Sequence, residues 1–242
     1  MKKLTVNHMS FKQLNSLIRE SSDNVFELDD VHGQRFIAAG MKNKKITIKG
    51  IPGNALGACL DLGSRIYVKN DCQDATGDTM NEGEIIICGN CGDTAGYSMR
   101  GGKLFIKESA GYRAGIHMKA YKNEKPSIII GDTAGSFLGE YLAGGTIVVL
   151  GLNQNGKCPV GNFCGTGMHG GQIILRTDEL PNDLPKQVVT RKAKKEDLES
   201  IKEIINQFCD EFSFDKNTIY NANFYILEPN STIPYRQHYT TI

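Results

Sequence analysis

The sequence predicts an all-β fold, a right-handed parallel β-helix of about seven coils with a small α/β cap before it and a helical extension after it. Three observations lead there. A seven-residue phrase, Gly-x-x-Met/Leu-x-x-Gly, is written six times, as Gly57-Leu60-Gly63, Gly77-Met80-Gly83, Gly96-Met99-Gly102, Gly115-Met118-Tyr121, Gly139-Leu142-Gly145 and Gly165-Met168-Gly171, with Tyr121 the one departure. The first glycines lie 20, 19, 19, 24 and 26 residues apart, and each copy leads into a short β-forming run. All 27 glycines fall between Gly33 and Gly171. Units of about twenty residues are too short for a crossover helix, so the chain must return to each parallel strand through turns, and no unit can bury its apolar face without neighbours.

The glycine boundaries divide the chain into a cap segment at 1–32, the β-helix at 33–178 and a linker, helix and aromatic tail at 179–242. In the cap, Ser10 and Gln13 form a capping box for a helix carrying Leu14, Leu17 and Ile18, and Val25-Phe26-Glu27-Leu28 reads as a strand. A first coil spans Gly33 to Gly50 with Ile46 and Ile48 as its strand. The later strands are Ile66–Val68, Ile85–Ile87, Leu104–Ile106, Ile128–Ile130, Ile147–Val149 and Ile173–Leu175. Seven coils at the β spacing make a column about 30 Å long. Glycines at stacked corners supply φ > 0, and Leu60, Met80, Met99, Met118, Leu142 and Met168 form an inward ladder, where unbranched methionine fills irregular gaps. The next position varies freely (Asp61, Asn81, Arg100, Lys119, Ala143, His169), unlike a catalytic row.

Beyond the glycines, Pro181 and Pro185 mark a linker that continues as the charged stretch Lys186–Lys195, solvated because Glu196, Asp197 and Glu199 follow its cations. Leu198, Ile201, Ile205, Phe208 and Phe212 recur at helical spacing from about Glu196 to Phe212, as a helix that caps or flanks the column. The stretch Tyr220–Ile242 is aromatic, without a period, and is expected to pack extended as a latch or partner contact.

A net charge of +1 and 40% hydrophobic residues supply no pull towards nucleic acid or anionic lipid, and no run reaches membrane length or forms a signal peptide. Seven scattered cysteines suit free thiols in a reducing compartment, so the expected location is the cytoplasm.

Each candidate for chemistry has a plainer reading. Gly165-Thr166-Gly167-Met168-His169-Gly170 fits the dinucleotide pattern G-x-G-x-x-G, but a strand, Gln172–Leu175, follows where a helix is required. Cys88-x-x-Cys91 and the pair Cys158 and Cys164 match no zinc or iron–sulfur spacing and lack a helix N-terminus to lower a thiol pKa. His117 and His169 are too few for a three-histidine zinc. Asp74, Asp93 and Asp132 recur before the corners and read as turn caps rather than calcium ligands. No residue of this chain is therefore assigned a catalytic, cofactor-binding or metal-ligating role.

The phrases Gly33-Gln34-Arg35-Phe36, Gly92-Asp93-Thr94-Ala95-Gly96, Gly139 through Gly151 and Gly165 through Gly171 resemble the C-terminal β-helix domain (GXGXG) of the glutamate synthase large subunit, from about Val31 to Arg176. The shorter phrases are shared with a β-helix subunit of formylmethanofuran dehydrogenase. The resemblance implies a structural domain holding a glutaminase domain and a flavin domain together, with no catalytic residues of its own. Met1-Lys2 offers no N-terminal cysteine nucleophile, and the chain has no room for a flavin barrel. What is implied is a stand-alone, noncatalytic assembly subunit of a split glutamate synthase. It would have a glutaminase subunit and a flavin (FMN) and iron–sulfur synthase subunit as partners, the cofactors residing there; homo-oligomers are also open. The alternatives are a formylmethanofuran dehydrogenase-like subunit, or an independent β-helix enzyme acting on a polymer or through a metal. The Gly-free tail after Arg176 departs from the large-subunit pattern.

Overall fold

The computed structural model describes residues 1–230. In chain order the elements are β1 (Lys2–Thr5), α1 (Phe11–Glu20), β2 (Val25–His32), β3 (Lys45–Ile51), β4 (Arg65–Val68), β5 (Glu84–Ile87), β6 (Lys103–Ile106) and β7 (Ser127–Ile130). They continue as β8 (Ala143–Val149), β9 (Gly170–Arg176), β10 (Val188–Lys192), α2 (Lys195–Phe212), α3 (Lys216–Tyr220) and β11 (Phe224–Pro229). One sheet of 11 strands runs through the molecule in the order β1-β2-β3-β4-β5-β6-β7-β8-β9-β11-β10. From β1 to β9 every pairing is parallel and sequential, with Ile46, Ile66, Ile85, Leu104, Ile128, Ile147 and Ile173 stacked in register. This is the β-solenoid of about seven turns that the period demands.

Its interior is a set of rows. The ladder Leu60, Met80, Met99, Met118, Leu142 and Met168 is fully buried, and Met41 of the first coil, 3% exposed, extends it downwards. The first glycines take φ between 63° and 73°. A second constraint acts on them: a Cβ at Gly96 would sit 2.5 Å from Cδ1 of Ile128, in the strand of the following coil. In four of the phrases the second glycine, Gly83, Gly102, Gly145 or Gly171, lies backbone to backbone with its neighbour; a Cβ at Gly102 would meet the carbonyl oxygen of Gly83 at 2.6 Å.

The corners contain more left-handed residues than the glycines announce. Phe36 stands two before Ala38 in the first coil, and two positions before the first glycine stand Ala55, Ala75, Thr94, Arg113, Phe137 and Phe163, all with φ between 56° and 62°. Two positions after it, Cys59, Thr79, Ser98, His117 and Tyr141 have φ between 50° and 55°. Such a backbone costs a non-glycine residue about 1–2 kcal/mol, and bonds between coils offset it. Thr94 N–H donates upwards to Tyr112 O at 2.7 Å, Gly96 N–H downwards to Thr76 O at 2.8 Å, and Ser98 N–H upwards to Ile116 O at 2.8 Å. The same alternation recurs from coil to coil.

Tyr121 departs from the phrase because an excursion is inserted there: Tyr121 and Glu124 pair with each other as a small antiparallel bridge, and the coil resumes at Pro126 and Ser127. That accounts for the spacing of 24.

The first end of the column is closed by α1. Its capping box forms as expected, with Ser10 N–H donating to Gln13 Oε1 at 3.1 Å and Gln13 N–H to Ser10 Oγ at 3.4 Å. Leu14 and Ile18 enter the core of the first coils, and the half-turned Asn15 side chain donates to Phe36 O at 2.9 Å and accepts from Ala38 N–H at 2.9 Å. At the other end β11 pairs antiparallel with β9, and β10 pairs antiparallel with β11. Helix α2 flanks the column: Ile201, Ile205 and Phe208 pack on Ile86, Phe105, Ile129, Val148 and Ile174, the outward row of the sheet.

One reading of the last segment is corrected by this arrangement and another is met in part, since Phe224–Pro229 does pack extended, on β9. Lys186–Lys195 is not simply a solvated linker, since Val188–Lys192 is the edge strand β10. The strand is still largely solvated, with Val189, Thr190 and Lys192 exposed, and Arg191 is held on it by pairs with Asp197 at 2.6 Å and with Glu228 at 3.2 Å. The aromatic stretch from Tyr220 is also more regular than its lack of period suggested: Phe224–Pro229 is a sheet strand, while residues 231–242 of the expected latch lie outside the described residues.

Candidate docking surface

The groups considered for chemistry are placed as follows. Cys72 and Cys91 stack in adjacent coils as buried thiols; burial pushes Cys91 up to about 12 and Cys72 well above its ordinary value. Cys164 is fully buried and shifted upwards by the same cause, and Cys158 rises with it, helped by Glu179 and Asp183. Cys88 lies at a strand end with its Sγ 3.1 Å from the Tyr67 hydroxyl. Among the described residues no three His, Cys, Asp or Glu side chains gather as a metal-ligating group, and no helix is long and apolar enough to cross a membrane.

The aspartates cap backbone N–H groups, but those of the neighbouring coil. Asp74 Oδ1 accepts from Asp93 N–H at 3.0 Å, and Asp93 Oδ1 from Tyr112 N–H at 2.8 Å. Asp132 does not share their register. It stands two residues after β7 and accepts from Asn153 N–H at 3.2 Å, so it caps the next coil as Asp93 does but from a different place in the turn. In Gly165-Thr166-Gly167 the first glycine is a corner and the second makes room for Tyr141, whose Cδ1 would lie 2.5 Å from a Cβ at Gly167; β9 follows.

What the corners do bring together is a ribbon of exposed side chains on coils four to seven. Left-handed backbone at each corner turns these side chains outwards, and identical positions in successive coils lie at the strand spacing of about 4.8 Å. His117 and Tyr141 therefore stack, ring centres 5.0 Å apart and 8° from parallel, with Tyr97 edge-on to His117 at 6.0 Å. Beside them Phe137 and Phe163 stack at 5.0 Å, and the Arg113 guanidinium lies 4.7 Å over Phe137. Arg113 Nε donates to Glu140 Oε2 at 3.0 Å, so the ribbon's cation is neutralised within it. Phe163, 48% exposed, is more open than Tyr97 or Tyr141. Aromatic and arginine side chains around a neutral centre are the composition of a protein interface. Its sequence signal is the pair of positions two before and two after the first glycine, where Arg113, Phe137, Phe163, His117 and Tyr141 fall.

The class defined by this geometry is a parallel β-solenoid with a solid apolar interior and its functional groups outside. The family described as GXGXG motif matches residues 27–230, and the chain belongs to that family. It is 40% identical to the uncharacterized protein MJ1350 of Methanocaldococcus jannaschii over 96% of this chain and 94% of that protein. It is 30% identical to the ferredoxin-dependent glutamate synthase of Antithamnion sp. over 78% of this chain, a region that makes up 13% of that enzyme. In fold it is similar to a chain of the formyltransferase/hydrolase complex from Methylorubrum extorquens, solved in complex with methylofuran, with a TM-score of 0.62, 17% identity and 88% of each chain covered.

Proposed function

We propose that this chain is a noncatalytic assembly subunit of a glutamate synthase-like complex, acting in the cytoplasm alongside a glutaminase subunit and a flavin- and iron–sulfur-bearing synthase subunit. The carrying observation is the likeness to ferredoxin-dependent glutamate synthase along 78% of this chain, where the matching region is 13% of a much longer enzyme. Such a proportion suits a domain that supports chemistry carried by the rest. The solid interior agrees with it: the inward rows are apolar and closed to solvent, and the buried thiols are held protonated. A rigid column presents its flanks instead, which suits holding other domains at fixed distances.

The test is purification of the tagged chain from its native cell under gentle conditions. Glutaminase and flavoprotein subunits at fixed stoichiometry, with glutamate formation from glutamine and 2-oxoglutarate by the complex and none by the isolated chain, are expected. Turnover of a polymer by the isolated chain, or stoichiometric zinc or calcium bound to it, would overturn the reading in favour of an independent β-helix enzyme.

A further inference from the structure

We propose that the open edge of β1, together with the apolar hollow beside α1, is a strand-addition site for an extended segment of a partner protein that carries acidic and apolar residues in alternation. β1 is the terminal strand of the sheet and pairs on one side only, with β2. Val6 N–H donates to Asp29 O at 2.8 Å. Because N–H groups alternate in direction along a parallel ladder, those of Lys2 and Leu4 also turn to β2, and the N–H and C=O groups of Lys3 and Thr5 turn away from it. Among the described residues no other strand meets them. An edge of this kind is satisfied by an extended backbone, which repeats a donor and an acceptor at the same spacing.

The side chains along the edge define what that backbone should carry. Lys49 of β3 and Lys3 of β1 both reach Glu27 of β2, at 2.9 and 3.2 Å, so charge alternates across the sheet and Lys3, its side chain 64% exposed, stands at the open end of the series. An acidic residue continues the alternation. On the other face Leu4 is in register with Leu28, Ile48 and Val68. Those three are fully buried, while Leu4 is half-buried because its row stops there. An apolar residue continues that row. Beyond Leu4, the turn after β1 and helix α1 border a hollow of about 620 Å³, lined by Val6, Met9 and Leu17 with His8, Gln13 and Glu20 at its rim. It takes a second apolar side chain two residues from the first, the spacing of Leu4 and Val6 along one face of a strand. A second copy of β1 does not supply this pattern: it has no acidic residue, and pairing with its twin gathers Lys2 and Lys3 of both chains on one short ladder. The inference deepens the assembly-subunit reading and rests on it for the kind of protein that bears the segment.

Binding of a fluorescent peptide, acetyl-Thr-Glu-Leu-Thr-Leu-Thr-amide, to the purified full-length chain tests the site without any other subunit, so its failure is distinct from a failure of that reading. Saturable binding with a Kd below about 1 mM is expected, with slower deuterium exchange at Lys3 and Thr5. Thr5→Pro removes an edge N–H that β2 does not use, and should weaken binding at least about tenfold while the thermal midpoint stays unchanged. Replacing the peptide's glutamate by lysine should weaken its binding to the native chain, and Lys3→Glu should restore it. Absence of saturable binding overturns the proposal, as does binding indifferent to Thr5→Pro. So does a chain that dimerises by itself in sedimentation and loses the dimer with Thr5→Pro, since a second copy is then the occupant.

Discussion

Gly96 serves two demands that one residue type meets together. Its φ of 70° excludes most side chains, and the space its Cβ would occupy holds the tip of Ile128. Gly96→Ala should therefore destabilise the fold by about 2–4 kcal/mol, combining left-handed strain with overpacking. Ile128→Val in the same chain removes the clashing Cδ1, and urea unfolding should show part of the loss recovered despite the cost of about 1 kcal/mol for that change alone. The thiols allow a second prediction at this scale. Cys59 is exposed while Cys72, Cys91 and Cys164 are buried with raised pKa, so a thiol reagent at pH 8 should modify Cys59 first and reach those three only on unfolding.

Residue by residue, the glycines and the Met/Leu ladder were legible because each repeats at fixed spacing and only glycine relieves both strain and crowding. Phe137, Arg113 and Tyr141 in left-handed backbone were not. Local propensity argues against them, and the bonds that hold them there run to other coils.

Among the elements, α2 shows what the strand patterns meant. Ile46-Thr47-Ile48 and Ile66-Tyr67-Val68 alternate, whereas Ile85–Ile87, Ile128–Ile130 and Ile147–Val149 are apolar throughout; the change marks where the helix begins to cover the sheet. The helix was read correctly from its spacing, but β10 was missed because its cations mimic a solvated loop until Asp197 and Glu228 are seen beside Arg191. The Arg191 guanidinium, followed by the Lys194 N–H, holds Asp197 down at about 2, below its ordinary value near 3.8. A carboxylate depressed in the folded state contributes stability above its unfolded pKa and loses it as pH falls through the folded one. The β10–α2 junction should thus weaken between about pH 4 and pH 2, and Asp197→Asn should flatten that part of an acid-unfolding curve while lowering stability at pH 7.

For the whole molecule, residues 177–230 belong to the fold. They supply a sheet strand on β9 and the cover over Phe105, Ile129 and Val148. Truncation after Arg176 should expose that row, giving strong binding of an apolar dye and a lowered thermal midpoint; an unchanged midpoint would show the column sufficient by itself. Register is likewise a property of the whole. The pentapeptide Gly-Asp-Thr-Ala-Gly occurs at 92–96 and again at 131–135. In the first copy Gly96 is a corner with φ of 70°, while in the second the corner glycine is Gly139. Identical residues adopt different roles because the stack below decides where each coil turns; the phrase Gly139-Leu142-Gly145, not the pentapeptide, marks the corner.

The alternating direction of the corner N–H groups reaches beyond static structure. Because Thr94 and Ser98 donate to the coil above and Gly96 to the coil below, three amides of one turn are released only when contacts with both neighbouring coils open. In deuterium exchange the surface of turns should therefore label as slowly as the strands behind it, with the excursion at Tyr121–Glu124 labelling first.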